Sequence, residues 1–189
     1  MLNLAVVTVH SCPLAKLGEK DAGGMNVYVL ALAHSIIDKD VSIDIYTREH
    51  ESCTEHIVNI NESLRVIHLP AGEYDLDKYD LLELLPIFTQ NMVDFAANQS
   101  NPYDIIHSHY WLSGFVGNQL KDLWELPHVT TFHTLAEVKQ RFMSGTIESS
   151  DRSDVETSII DLADAVVAFT MHEKEALVNY YGARSDRIS

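Results

Sequence analysis

The sequence predicts an α/β fold: a doubly wound, mainly parallel sheet with helices on both faces. Three observations predict it. Short runs of apolar, β-branched residues alternate with segments of helical period along all 189 residues. The clearest runs are continuously apolar, as strands covered on both faces must be. Polar residues, histidine above all, follow several of these runs, at the ends where open α/β sheets bind their ligands.

The elements follow in order. Leu2 to Val9 (LNLAVVTV) reads as a buried parallel strand. Asn26 to Ile37 reads as a helix, with Val27, Leu30, Ala31, Ile36 and Ile37 at helical spacing. Val41 to Thr47 is a second strand, Ile57 to Ile60 a small one, and Leu64 to Leu69 a stronger one. Leu81 to Ala97 has a helical pattern interrupted by Pro86, which lacks an N–H, so a break is expected there. Asp104 to Ser108 is a strand, Leu112 to Leu123 a helix with Gly114 and Gly117 near its start, and His128 to Phe132 a strand. Val155 to Leu162 is helical, Ala165 to Thr170 is the last strand, and His172 to Tyr180 is a closing helix with Gly182 as its C′ residue. Leu135 to Ser150 reads as a loop or a partly helical lid. This order describes one Rossmann-like domain over residues 1–189, with right-handed crossovers.

Composition excludes several classes. Hydrophobic residues make up 46%, enough to fill one core. The formal charge is -15, from 28 acidic and 13 basic residues with no Lys/Arg run, so such a surface repels nucleic acid. Basic residues gathered at a cleft would therefore stand out. Cys12 and Cys53 lack the spacing of a zinc ribbon or a disulfide framework, and Cys12 reads as a spectator or a reactive thiol. The apolar start has no basic region before it and reads as a strand, not a signal peptide. No apolar run approaches the ~20 residues that cross a bilayer, and a cytoplasmic location is expected.

The stretch Asp21 to Val27 (DAGGMNV) stands between the first strand and the first helix. Two glycines at a helix start let a ligand approach the backbone, and the first N–H groups of a helix favour an anionic oxygen. The dinucleotide fingerprint Gly-x-Gly-x-x-Gly is absent, and a plain connecting turn is the alternative. Three strands deliver histidine to their carboxyl ends: His10 after the first, His107 and His109 with Tyr110 and Trp111 on the Asp104 strand, and His133 with Thr134 after the His128 strand. Each could equally be a hydrogen-bonded structural residue. The His107/His109 pair could be half of a metal site, but no further ligand at metal spacing accompanies it, so no metal is expected. A hydrolase triad would lack the Gly-x-Ser-x-Gly elbow.

The segments GGMNVYV (Gly23 to Val29), HSHYWLSG (His107 to Gly114), FHTLAEVK (Phe132 to Lys139), RVIHLPAGEY (Arg65 to Tyr74) and YYGARSDRIS (Tyr180 to Ser189) occur in an order that resembles the N-terminal half of family 4 retaining glycosyltransferases. The pattern is most like that of the D-inositol-3-phosphate glycosyltransferases in that family, and sucrose-phosphate synthases are similar at the same places. The resemblance implies the GT-B architecture, two Rossmann-like domains facing across a cleft. It implies transfer of a sugar from a nucleotide sugar, such as a UDP-sugar, with retention and without a metal or other cofactor. His133 matches the histidine at the reaction centre. His10, Gly23 and Gly24 match residues facing the donor, as do Lys16 and Leu17, which stand where the family pattern carries Gln-Pro. Asp21, Met25 and Asn26 match acceptor-pocket residues. Lys78, Tyr110, Thr134 and Arg152 match the group that would meet an acceptor phosphate, with Lys78 and Arg152 both placed in loops. Trp111 reads as a core aromatic.

The function expected is thus the acceptor-binding half of a retaining glycosyltransferase, acting on a small, possibly phosphorylated, polyol or sugar. The partners implied are the acceptor, the nucleotide sugar and a C-terminal donor domain supplied in cis or in trans. Self-association through an uncovered face is a further expectation. The competing expectations are a non-catalytic binding domain and a stand-alone α/β hydrolase.

Overall fold

The computed structural model describes residues 1–16, 18, 21–37, 40–51, 55–78, 80–100, 102–142 and 150–189. In chain order the elements are β1 (Leu2–Val7), α1 (Gly24–Ile36), β2 (Val41–Arg48), β3 (Ile57–Asn61), β4 (Leu64–Leu69), α2 (Leu85–Ala97), β5 (Ile105–His109), α3 (Trp111–Trp124), β6 (His128–Thr131), α4 (Ala136–Phe142), α5 (Ser150–Leu162), β7 (Ala165–Val166) and α6 (Met171–Tyr181). The sheet runs β3-β4-β2-β1-β5-β6-β7. Every pairing is parallel except that of β3 with β4, which is antiparallel and lies at the edge.

The continuous apolar strand pattern has a simple cause. Side chains along a strand alternate between faces, and both faces here are covered. In β1, Leu4 and Val6 point to the layer beneath α1, with Val29, Ala33, Ile43 and Val66. Ala5 and Val7 point to the larger layer, with Phe88, Met92, Leu112, Val116, Phe132 and Ile159 from the α2, α3 and α5 side. The chain winds outward from β1 to β2 and β4, then returns to the other side of β1 as β5. The gap between β1 and β5 is therefore the topological switch point, where ligands bind in such folds.

Most expected elements appear within a residue or two of their observed ends. Pro86 falls in the first turn of α2, preceded by a 3-10 turn over Leu82–Leu84, so the break comes at the helix start, where the missing N–H costs nothing. The last strand is shorter than expected. It spans only Ala165–Val166, and beyond it the N–H of Val167 bonds the Thr130 carbonyl while that of Ala168 turns to the carbonyl of Ser189. α5 starts at Ser150, five residues before the apolar pattern that signals it. The stretch expected to be a loop or lid contains α4 and the first residue of α5, its remainder lying outside the described residues. Among the described residues no helix is long and apolar enough to cross a membrane.

Candidate functional site

The carboxyl ends of β1, β5 and β6 lie side by side at the switch point. His10 follows β1, His109 ends β5 with Tyr110 after it, and His133 and Thr134 follow β6. The structure brings all five together with the start of α1. Tyr28, on the second turn of α1, sets its ring edge-on to His109 and His133 at 5.9 and 5.4 Å. Phe169 closes the far side, 4.9 Å from Tyr28 and 5.3 Å from His133. The ring of His133 is only partly buried, so it borders the site rather than the core.

The histidines are linked. His109 Nδ1 lies 3.0 Å from His133 Nε2, so one ring donates to the other, and the choice sets the tautomer of both. His107 Nε2 meets Thr131 Oγ1 at 2.9 Å, and its ring packs 4.2 Å from that of His109. Burial holds the His133 imidazole down to about 4. Burial, helped by the charge of His133, does the same to His107. His109 is driven well below the usual histidine value by burial and by His107 and His133. All three rings are therefore neutral near pH 7, and His133 acts as a hydrogen-bonding group, not as a cation.

His10 marks where positive charge collects. Its ring packs 4.4 Å from that of Tyr110. Burial lowers it to about 3, and the charges of Lys78, His133 and Arg152 push the same way. Its Nδ1 is buried with no hydrogen-bond partner among the described residues, and so is His109 Nε2. Unpaired buried polar atoms are costly, and native folds keep few of them. Tyr110 and His133 also have positive φ, at 77° and 61°, a backbone strain of about 1–3 kcal/mol each for side-chain-bearing residues.

Gly23 is the N-cap of α1 and Gly24 its first residue. Gly23 is extended, at φ -164°, a conformation open to any residue. A Cβ at either position would meet nothing within 4 Å. Neither backbone angle at Gly23 nor packing at either residue demands glycine, and the first turn of α1 has no acidic side chain. What the glycines provide is open backbone. Asp21, at φ 60°, and Met25 flank that turn, Asp21 exposed and Met25 partly buried. Lys16 lies exposed on the loop before it, and Leu17 lies outside the described residues.

Two residues sit differently from expectation. Arg152 was expected in a loop, meeting an acceptor phosphate; it is on α5 and fully buried. Its Nε meets Glu156 Oε1 at 2.8 Å, its Nη2 bonds the carbonyl oxygen and Oγ1 of Thr134 at 2.8 and 3.1 Å, and its guanidinium lies 5.0 Å over the Tyr110 ring. Glu156 also accepts from the Ala136 N–H and the Tyr181 hydroxyl. Arg152 in this state props Thr134 and Tyr110 and lends its charge from behind them. Asn26 was expected to line a pocket; its amide is buried and ties the loop before α1 together. It accepts from Gly23 N–H at 3.0 Å, lies 2.7 Å from Ser11 Oγ and donates to the Cys12 carbonyl. Tyr28 and Phe169 were not among the residues expected at the site. Tyr28 lies four residues after Gly24, hence on the same helix face, which is the signal that could have found it.

Residues 23–189 match the model of the glycosyl transferase 4-like domain. The chain is 42% identical over 191 residues to the D-inositol 3-phosphate glycosyltransferase of Corynebacterium glutamicum (strain R), covering all of this chain and 46% of that protein. It is 39% identical over 193 residues to the protein of the same name from Mycobacteroides abscessus, covering 98% and 43%. In three dimensions it is similar to sucrose-phosphate synthase from Thermosynechococcus elongatus, with a TM-score of 0.89 at 29% identity over all of this chain and 47% of that one. The catalytic domain of starch synthase IV from Arabidopsis thaliana shares the fold, at a TM-score of 0.64 and 14% identity. The chain thus spans less than half the length of these curated relatives.

Proposed function

The chain belongs to the glycosyl transferase 4-like family, and from that premise we propose that it is the acceptor-binding half of a retaining GT-B glycosyltransferase. The acceptor is a small phosphorylated polyol or sugar, and the donor is a nucleotide sugar. One observation carries the reading: Lys78 and Arg152 both bear electrostatically on His10 at the switch point, in a chain whose net charge is -15. On so acidic a protein, that gathering is what a phosphomonoester requires.

The roles follow from position. Lys78 supplies the accessible charge, and Thr134 and Tyr110 supply hydroxyls that Arg152 holds in place. The open N-terminus of α1 at Gly23 and Gly24 receives donor phosphate. Neutral His133, held by His109 and packed against Tyr28 of α1, hydrogen-bonds the transferred sugar, positioning it rather than titrating. No metal is assigned to the transfer. The relatives are roughly twice as long as this chain, and we place most of the nucleotide contacts in the part of them that it does not match. Closure of that second domain would exclude water from the activated sugar.

Calorimetric titration tests the acceptor assignment. D-inositol 3-phosphate or fructose 6-phosphate should bind at least ten-fold more tightly than the unphosphorylated sugar. Lys78→Ala should lower the affinity of the phosphorylated ligand by about ten-fold, roughly 1.4 kcal/mol. Equal affinity for both forms, or binding unchanged in the variant, would overturn the assignment.

A further inference from the structure

Beside the sugar site, a second group of ligand atoms has no role in the transfer. Cys12 lies on the loop after β1, His50 two residues beyond β2, and His68 on β4. Cys12 Sγ, a nitrogen of His50 and a nitrogen of His68 all lie within 4.8 Å of one another. We propose that Cys12, His50 and His68 form a binding site for Zn²⁺, with the fourth position open to the neighbouring cleft. The cleft, about 340 Å³, is lined by Cys12 and His50 together with His10, Glu49 and Asp75.

The geometry fits that ion. A tetrahedral zinc with Zn–S near 2.3 Å and Zn–N near 2.0 Å places sulfur and nitrogen about 3.5 Å apart. Cys12 Sγ and His68 Nε2 are 3.3 Å apart. A thiol donating to an imidazole would give the same separation, so this pair alone decides nothing. The third donor distinguishes the two, because His50 comes from a different strand end and brings a nitrogen within 4.8 Å of both. His50 is half-buried at the cleft, whereas Cys12 and His68 are held in the interior.

The surroundings suit a thiolate and a cation. The N–H of Leu14 points at Cys12 Sγ at 3.4 Å, a contact that stabilises negative sulfur. Glu49 lines the same cleft as Cys12 and His50. Arg48, which also lines the cleft, is bonded to the carbonyl oxygens of Glu73 and Tyr74 at 2.6 and 3.1 Å. Zinc binding would release the Cys12 proton to solvent and leave both imidazoles neutral. The ion would have a structural effect. Cys12 holds Asn26 through its carbonyl, and Asn26 holds Gly23, so a metal at Cys12 braces the turn that opens α1. Nothing in the sequence marks the set, because its members are separated by 38 and 18 residues.

The test uses the full chain under reductant. Demetallated protein titrated with Co²⁺ should develop a thiolate-to-metal charge-transfer band and tetrahedral d–d bands, at one equivalent. Zn²⁺ competition should then give an affinity that Cys12→Ser lowers by at least 100-fold and His50→Gln by at least ten-fold. His50→Gln is included because its side chain is not part of the core, so the variant folds even if Cys12→Ser does not. A cobalt spectrum without a thiolate band, or Zn²⁺ bound as tightly by His50→Gln as by the parent, overturns the site. Phosphate-ligand affinity, measured in the same variants, reports separately on the sugar site.

Discussion

The two ends of this sheet each hold a polar cluster beside a cleft of about 330–340 Å³, and they are built on opposite principles. At the amino edge, Arg65 grips Asp44 with two bonds of 2.6 and 2.8 Å and reaches Gln99 at 2.9 Å. The Tyr103 hydroxyl bonds the same carboxylate and packs against the Tyr46 hydroxyl. The polar groups there satisfy one another, and none of these residues has a strained backbone. At the carboxyl edge, buried nitrogens of His10 and His109 go unmatched, and Tyr110 and His133 sit at positive φ. A closed network supports the fold. A network that is strained and short of partners awaits a ligand. Pocket size does not separate the two; unmet bonding capacity does.

The largest expected effect is acid sensitivity concentrated in β5, β6 and the turns that follow β1 and β6. Burial holds His10 at about 3 and His107 and His133 at about 4, against 6.5 for a free histidine. His128, at the start of β6, is held at about 3 in the same way. Between those values and 6.5 the unfolded chain binds protons that the folded one refuses. Stability therefore falls as pH drops from 6.5 towards 4, by up to ~1.4 kcal/mol per pH unit for each such ring. Several rings acting together approach the whole stability of an ordinary domain. Urea denaturation from pH 7.5 to 4.5 measures this. Amide exchange at pH 5 should show β5 and β6 opening before β2 and β4. Uniform loss of protection would break the contrast between the edges.

The second expected effect compares the two arginine–carboxylate pairs. Arg152 and Glu156 are fully buried, while Arg65 retains 30% side-chain exposure. Glu156→Ala strands a buried guanidinium and should cost about 3–5 kcal/mol. Arg65→Met leaves Asp44 within reach of Tyr103 and water, and should cost about 1 kcal/mol or less. Equal losses in chemical denaturation would mean that burial does not distinguish the edges.

The same contrast explains what was legible beforehand. Strand order and the doubly wound class follow from period and alternation, which are local. The delivery of His10, His109 and His133 to one rim also follows, because parallel strands put all their carboxyl ends together. Which of those rings touch does not follow, since it depends on register and on Tyr28 and Phe169 arriving from α1 and from beyond β7. Arg152 misled because Ser150–Asp154 is polar enough to read as a loop; the buried Glu156 that neutralises it is one helical turn further on. The Cys12, His50 and His68 group was hidden because its members come from β4 and from the segments that follow β1 and β2. Charge and short motifs are written locally, whereas pairing across the sheet is not.

Two glycines sharpen the contrast most, and one of them carries the smallest expected loss of stability. Gly117 in α3 is a packing glycine. A Cβ there would run into the His128 ring, and that ring is fixed between Ser108 and Asn118 at 2.7 and 2.8 Å. Gly117→Ala should destabilise by about 1–3 kcal/mol through overpacking. Gly24→Ala meets nothing, and a helical residue gains from losing glycine, so stability should hold or rise by up to ~1 kcal/mol. If the opening turn of α1 exists to admit phosphate, the methyl group of Gly24→Ala occupies the approach itself. Donor or phosphate affinity should then fall about ten-fold in a protein that melts no earlier than the parent. Undiminished affinity in that variant would place the anion elsewhere on the rim and leave the open turn without a ligand.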